Sequence, residues 1–390
     1  MVAIATIATL VTRGDSGMFN DFYDYWGAAR VLLGGGNPYD ISAIAAAVHG
    51  AGVDFESGRG YSYPALFAFA MAPLGLLPPR TAAWVFTGLS MAGLLLAVTI
   101  LASPLARLRA WELVLLGGLC GWFTATRGTI FFGQANLLVL PLLAVAYRGV
   151  ARPGMVALAA AVKLYPAAGA LPLLFRRGDL RPLLASVAAG LGLIVVPNLV
   201  VAALPGGGVT AGARLASFFD ADPFWTNQSV NGWISRLALA GDYTAPPLPG
   251  LDTRVAMLAV VGILAVALVV VLMVTRGAPW DGCFALALGF AVVAAPKNSL
   301  WNYMPLLLAV FFCWPRVRRR PVAFVFLAVG FGLVQLQSII DTTRDTFYGF
   351  QPGMTWLSSL ALYGALVVCG LTAYLLLTEP PLPGDRRASP

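Results

Sequence analysis

The chain has 390 residues, 59% of them hydrophobic and only 11% charged, with a mean hydropathy of +0.81. That composition excludes an ordinary soluble domain and a disordered chain, and places the sequence among multi-spanning helical membrane proteins. The net charge of +8 would suit nucleic acid, but its placement along the chain answers to membrane topology instead.

The first apolar run, 1–12, is shorter than the roughly 20 residues a span needs. It lacks the basic flank and cleavage site of a signal peptide, so it reads as a helix. Just beyond it, Asn20-Asp21-Phe22-Tyr23-Asp24-Tyr25-Trp26 opens a polar stretch with two carboxylates and four aromatics. Gly34-Gly35-Gly36-Asn37-Pro38-Tyr39-Asp40 reads as a tight turn; it lacks the GxxxxGK[ST] pattern of a phosphate cradle. Tyr63-Pro64 marks the start of an apolar segment, 64–77, with proline at a first helical position.

Runs of spanning or near-spanning length follow at 81–103, 111–126, 134–147, 183–204, 253–275, 279–295, 300–314, 321–338 and 356–377. The segments 64–77 and 154–175 are interrupted by Pro73 and Pro166 and read as interfacial or broken helices. Such backbone is tolerated at membrane depth only where protein or a cavity satisfies it. The pattern predicts an all-α polytopic membrane protein of about eleven spans in one domain, 1–378. Its long extracytoplasmic loops fall at 13–80 and 205–252, and a proline-rich disordered tail at 379–390 is cytoplasmic.

If 154–175 enters and returns to the same side, one face collects 14 basic and 5 acidic residues, the other 11 and 12. This is the positive-inside asymmetry, so the arginine-rich face is cytoplasmic and the pI near 9.6 reports topology and contact with anionic lipid. The opposite face receives the polar motifs, as an extracytoplasmic site on a helical bundle should.

Asp21 and Asp24 are three residues apart and share a face on an interfacial helix. A carboxylate there can act as general base toward a hydroxyl; solvated loop acids are the plainer reading. Tyr63 is either an interfacial anchor or a substrate contact. Gly133-Gln134-Ala135-Asn136 opens a helix whose uncapped N–H groups, with Arg127, would favour an anion; capping is the alternative. The chain uses 23 arginines but two lysines, Lys163 and Lys297, each beside a proline-marked break. A charge in or beside the membrane is costly, so each is a candidate phosphate ligand, against simple snorkelling to the interface.

Asn227-Gln228-Ser229-Val230-Asn231-Gly232-Trp233 combines amides with an aromatic, the usual tools for reading sugar hydroxyls. Helix capping by Ser229 or Asn231 competes with that reading. His49, the single histidine, has no companion ligands, and the four cysteines show no CxxC spacing, so neither a metal nor a disulfide framework is expected.

Taken in order, Asp-x-x-x-Tyr-Trp, Gly-Gly-Asn-Pro-Tyr-Asp, Tyr-Pro with its apolar run, Gly-Gln-x-Asn-Leu-Leu, Lys-Leu-x-Pro and Asn-Gln-Ser-x-Asn-Gly resemble one family. It is glycosyltransferase family 87, polyprenol-phosphate-mannose-dependent mannosyltransferases of the C-type (GT-C) membrane fold. The resemblance covers about Asn20 to Tyr303 and places the family's catalytic aspartate on Asp21. It implies a lipid-phosphate sugar donor, no nucleotide, no bound metal and no other cofactor. Family members commonly carry histidine in a late Trp-x-His motif; here Ala295-Pro296-Lys297-Asn298-Ser299-Leu300-Trp301-Asn302-Tyr303 has none. Lys297 or Asn302 would have to supply that contact. The expected activity is extracytoplasmic, inverting transfer of a hexose, mannose by the resemblance, from a polyprenyl phosphate to a glycolipid or glycan hydroxyl. A ligase or polymerase of lipid-linked oligosaccharide is one rival. A transporter or flippase is the other, although no internal repeat supports it.

Overall fold

The computed structural model describes residues 18–54, 60–105, 108–176, 180–205, 219–241, 244–347 and 352–379. The expected helix at 1–12, the tail beyond Glu379 and residues 206–218 of the second long loop lie outside them. Among the described residues the fold is helical, with isolated bridges and no strand.

In chain order the helices are α1 (Asn20–Leu33), α2 (Ile41–Gly50), α3 (Ala65–Gly75), α4 (Pro79–Ala102), α5 (Ala110–Trp122), α6 (Thr124–Phe132), α7 (Asn136–Tyr147) and α8 (Arg152–Val162). There follow α9 (Leu180–Ala202), α10 (Val230–Ala238), α11 (Thr253–Val274), α12 (Trp280–Ala294), α13 (Leu306–Val317), α14 (Pro321–Phe347) and α15 (Leu360–Thr378). Tighter 3-10 turns occupy Tyr165–Leu174, Leu300–Tyr303 and Pro352–Ser359.

Among the described residues, five segments are long and apolar enough to cross a bilayer: α4, α9, α11, Pro321–Ile339 of α14, and Thr355–Thr378. A sixth forms if α5 and α6, bent by 44°, make one crossing. The apolar runs expected at 134–147, 279–295 and 300–314 contain helices of only 12, 15 and 12 residues. At 1.5 Å per residue these reach roughly 18–23 Å, short of a hydrocarbon core near 30 Å. Local chemistry sets their ends. Ala295 is extended because Pro296 follows it, and Pro305 caps the start of α13.

The long helices α9 and α11 turn most of their apolar surface outward, Ile263 and Val266 among the most exposed. Apolar faces of that size suit lipid tails, not water. The short helices α12 and α13 are instead buried nearly all round, as elements at the centre of a bundle must be. Helices α14 and α15 pack backbone to backbone: a Cβ on Gly364 would collide with the Gly330 carbonyl, so only small residues permit the approach.

The bend at Phe123 illustrates how a broken helix survives in this fold. Its extended backbone ends α5 and starts α6, which frees the Trp122 carbonyl and the Thr124 N–H. Gln335 of α14 pairs with both, accepting from Thr124 N at 2.6 Å and donating to Trp122 O at 3.1 Å. One turn earlier on α14, Phe331 stacks on Phe123 at 5.0 Å.

Two apolar clusters result, one mainly among α1–α4 and a larger one through α4–α8 and α10–α15; the halves of α4 serve one each. They meet at Gly133, where the chain turns from α6 into α7 with φ of +68°. There Phe22 of α1 packs so closely that an added Cβ would lie 2.5 Å from the Phe22 Cβ. Gly133→Ala is therefore predicted to destabilise the protein by about 2–4 kcal/mol, combining left-handed backbone strain with overpacking. Thermal unfolding of the detergent-solubilised variant beside wild type checks this; an unchanged Tm would count against the close packing.

Candidate active site

Helix α1 begins at a pinned point. Phe19 takes a left-handed backbone (φ 61°) and donates its N–H to the Phe131 carbonyl at 2.8 Å, tying the start of α1 to the end of α6. Asp21 lies in the first helical turn, where the positive end of the helix favours a carboxylate. It is partly exposed, whereas Asp24, one turn on, is buried. The two acids share a face, as their spacing requires.

Beneath Asp21 lies a continuous polar network. Gln134 donates from Nε2 to Asp21 Oδ2. Its Oε1 accepts from the Tyr63 hydroxyl at 2.8 Å and from Lys163 Nζ at 2.8 Å. Lys163 also donates to Asn136 Oδ1 at 2.8 Å and Asn302 Oδ1 at 2.6 Å. Asn136 Nδ2 in turn donates to the Trp301 carbonyl at 2.9 Å, Asn302 Oδ1 at 3.0 Å and Thr129 Oγ1 at 3.2 Å. Tyr25 extends the chain with a 2.6 Å bond to the Tyr63 hydroxyl. Lys163, Gln134 and Asn136 are all buried, so each polar atom must find its partner inside the protein.

Local backbone explains why these side chains meet. Gly133 closes α6, and the Gln134 N–H returns to the Thr129 carbonyl at 2.8 Å, which aims Gln134 at α1. Lys163 terminates α8 with an extended backbone (φ −139°), ahead of Pro166 and a 3-10 stretch. The broken helix expected at 154–175 is present, and its cation sits at a helix C-terminus, the end that favours positive charge. Asn302 rides on the 3-10 turn Leu300–Tyr303.

The remaining sequence candidates form a second assembly. Asn227 donates to the Asp222 carbonyl at 3.1 Å and accepts from the Ser229 hydroxyl at 2.8 Å and Asn298 N at 3.1 Å. Gln228 donates to the Trp225 and Ser358 carbonyls, each at 2.8 Å. Asn231 holds the Asp220 and Pro296 carbonyls at 2.9 and 2.8 Å, and Ser229 caps α10 through Gly232 N. Lys297 pairs with Asp222 at 3.4 Å. Arg127 lies at the α5/α6 bend, bonded to Thr124 Oγ1 at 3.1 Å and over the Trp122 ring at 4.9 Å.

The structure thus joins Asp21, Tyr63, Gln134, Asn136, Lys163 and Asn302 in one network. Asn227, Gln228, Asn231 and Lys297 hold the segment 296–299 that leads into Asn302. Sequence reasoning did not single out Tyr25, Thr129 or Arg236. Arg236 is fully buried and organises the second assembly, donating to the Phe224 and Asn227 carbonyls at 3.1 and 2.9 Å and to Ser359 Oγ at 2.7 Å. Its neighbour Asn231-Gly232-Trp233 was legible; the need for a buried cation under a loop was not. Cavities of about 270 and 460 Å³ open elsewhere, beside Asp220, Asn231 and Arg254 and beside Trp26, Arg30 and Leu77, so neither marks the Asp21 network.

Fold and site together define a helical, multi-pass membrane protein with a carboxylate held over a buried ammonium by side-chain amides. The chain belongs to glycosyltransferase family 87, whose family model matches residues 61–296, more than half of its length. It is accordingly a membrane glycosyltransferase, with a sugar donor, an acceptor and the lipid bilayer as its partners. No curated protein matches the chain. The matched interval takes in Tyr63, Gln134, Asn136 and Lys163 but begins after Asp21 and ends before Asn302.

Arg236→Met should cost about 3 kcal/mol or more, since it removes charge-assisted bonds, among them the one to the buried Asn227 carbonyl. Thermal unfolding and limited proteolysis of the 219–231 segment are the readouts. Wild-type stability would mean that the amides alone hold this loop.

Proposed function

We propose that this glycosyltransferase moves a hexose, mannose by resemblance, from a polyprenyl phosphate to the hydroxyl of a glycolipid or glycan. The observation that carries this reading is the placement of Asp21: a partly exposed carboxylate in the first turn of α1, gripped by Gln134 at the outer end of a buried polar network. The site is assigned to the extracytoplasmic face and the C-terminus to the cytoplasm, because the arginine-rich loops gather on the other side. A lipid-linked donor fits that location, since nucleotide sugars are cytoplasmic. We assign the chain to the C-type (GT-C) fold with about eleven crossings, more than the five described segments that are long enough to span as single helices.

In the proposed reaction Asp21 takes the proton of the acceptor hydroxyl as its oxygen attacks the anomeric carbon. The bond from that carbon to the lipid phosphate oxygen breaks on the opposite face, so the configuration inverts. The electron pair leaves with the polyprenyl phosphate, which gains one negative charge, and the proton stays on the carboxyl group until water removes it. Arg127, Lys163 and Lys297 are the cations available to stabilise the departing phosphate. Asp24, Asn227, Gln228 and Asn231 are the proposed sugar contacts, with Tyr63, Asn136 and Asn302 lining the carboxylate's side of the site. No bound metal or other cofactor enters these steps.

The test uses purified protein in detergent, radiolabelled polyprenyl-phosphate-mannose and a membrane lipid extract. Asp21→Asn is predicted to lower transfer by about 10²–10⁴-fold, the usual contribution of a positioned general base, with an unchanged Tm. Full activity in the folded variant would remove Asp21 from the chemistry. Transfer of an intact oligosaccharide instead of one sugar would favour the ligase reading. Donor translocation without transfer would favour a transporter, the alternative that a charged break at Lys163 most resembles.

A further inference from the structure

Lys163 is a candidate for the leaving phosphate by charge, yet its contacts describe a different task. An ammonium carries three hydrogens and no lone pair. Three amide oxygens converge on Nζ at 2.8, 2.8 and 2.6 Å, from Gln134, Asn136 and Asn302. The cage therefore matches the protonated form, and a phosphate could bind only by displacing one of these oxygens from a side chain that is 8% exposed.

The orientation of each amide follows from donor and acceptor chemistry. The Trp301 carbonyl can only accept, so it fixes Asn136 Nδ2 and turns Asn136 Oδ1 toward Lys163. Lys163 can only donate, so it fixes Gln134 Oε1 on its own side. The Gln134 NH2 group is then presented to Asp21, whose ionised carboxylate accepts. A flipped Gln134 would set its oxygen against Asp21 and its hydrogens against the ammonium, two repulsions at once. Tyr63 reinforces the observed orientation by donating to the same oxygen.

We propose that Lys163 is a positioning residue for the general base, locking Gln134 in the orientation that grips Asp21 and supplying the positive potential that keeps Asp21 ionised. Asn136 and Asn302 serve it in turn by completing the cage. This rests on Asp21 being the base, and it moves Lys163 from the phosphate to the carboxylate. Among the described groups that interact with Asp21 are Tyr25 on α1, Tyr63 ahead of α3 and Lys163 at the end of α8, with Asp24 one turn along α1 and Tyr165 behind Tyr63. Lys163 is the cation among these groups and Asp24 a like charge to Asp21, so loss of Lys163 removes positive potential from the carboxylate.

The decisive measurement is the pH dependence of kcat/KM for Lys163→Met and Gln134→Glu beside wild type, with the donor varied. Removing a nearby cation disfavours the ionised carboxylate, so the acid limb should move to higher pH by about one unit in Lys163→Met. Gln134→Glu keeps a partner for Lys163 but replaces the donor to Asp21 with a negative charge. It should move the limb the same way because Asp21 loses its donor, and Lys163→Gln, which keeps a hydrogen-bond donor in the cage but no charge, takes the place of Lys163→Met if that variant does not fold. The donor KM is expected to stay within about threefold, because uniform binding to substrate is not what is lost. An acid limb that stays in place in the folded variants overturns the proposal, and a raised donor KM with it returns Lys163 to the phosphate. Asp21→Asn separates the two readings: if that variant transfers sugar at the wild-type rate, the general base itself is wrong, whatever Lys163 does.

Discussion

A buried ammonium dictates much of this structure. Removing Lys163 from water is expensive, and the expense is tolerable only if every N–H finds an acceptor inside. The acceptors come from two separate places, the turn between α6 and α7 and the 3-10 turn at 300–303, and meet the ammonium at the broken end of α8. Each of these is a departure from regular helix. The left-handed Gly133, the extended Lys163 and the tight turn at Asn302 are the local adjustments that let the oxygens converge. Regular helices alone would have carried the same side chains past one another.

The same residue types do different work a short distance away. In the network under Asp21, side-chain amides face charges, the ammonium on one side and the carboxylate on the other. In the 219–231 loop, Asn227, Gln228 and Asn231 face backbone carbonyls, and Arg236 anchors them from below. The second assembly is scaffold for the first, because Asn231 holds Pro296 and Gln228 N holds the Asn298 carbonyl, on the segment that delivers Asn302. A contact between Asn227 and a sugar would thus require a group already occupied by the chain to exchange partners.

These differences show where the sequence is readable. Asp21 and Lys163 stand out because acids and lysines are scarce in so apolar a chain, and scarcity at a membrane carries physical meaning. The break at Lys163 is announced by Pro166, and the helical architecture by the long apolar runs. Helix length is not announced: the runs at 134–147 and 279–295 look continuous, while Gly133, Pro279 and Pro296 confine them to short buried helices. Nor can local sequence separate Gln134 from Gln228. Both lie within two residues of an asparagine near a helix start, and only the tertiary partner distinguishes an amide that grips a carboxylate from one that bonds loop carbonyls. Tyr25, Thr129 and Arg236 were invisible for the same reason.

The two helix breaks, at Phe123 and after α8, are satisfied by different chemistry. At Phe123 a neutral amide, Gln335, satisfies the freed N–H and carbonyl, and nothing more is needed to keep a bent crossing intact. The break after α8 holds a charge, three amides, two tyrosines and a partly exposed carboxylate at its outer edge. Backbone satisfaction does not by itself call for a charge, since a glutamine serves at Phe123; and where the Arg236 cation does bond backbone carbonyls, Lys163 bonds side-chain amides instead. The charge must answer to something beyond the break. In this structure the group it reaches, through one amide, is Asp21.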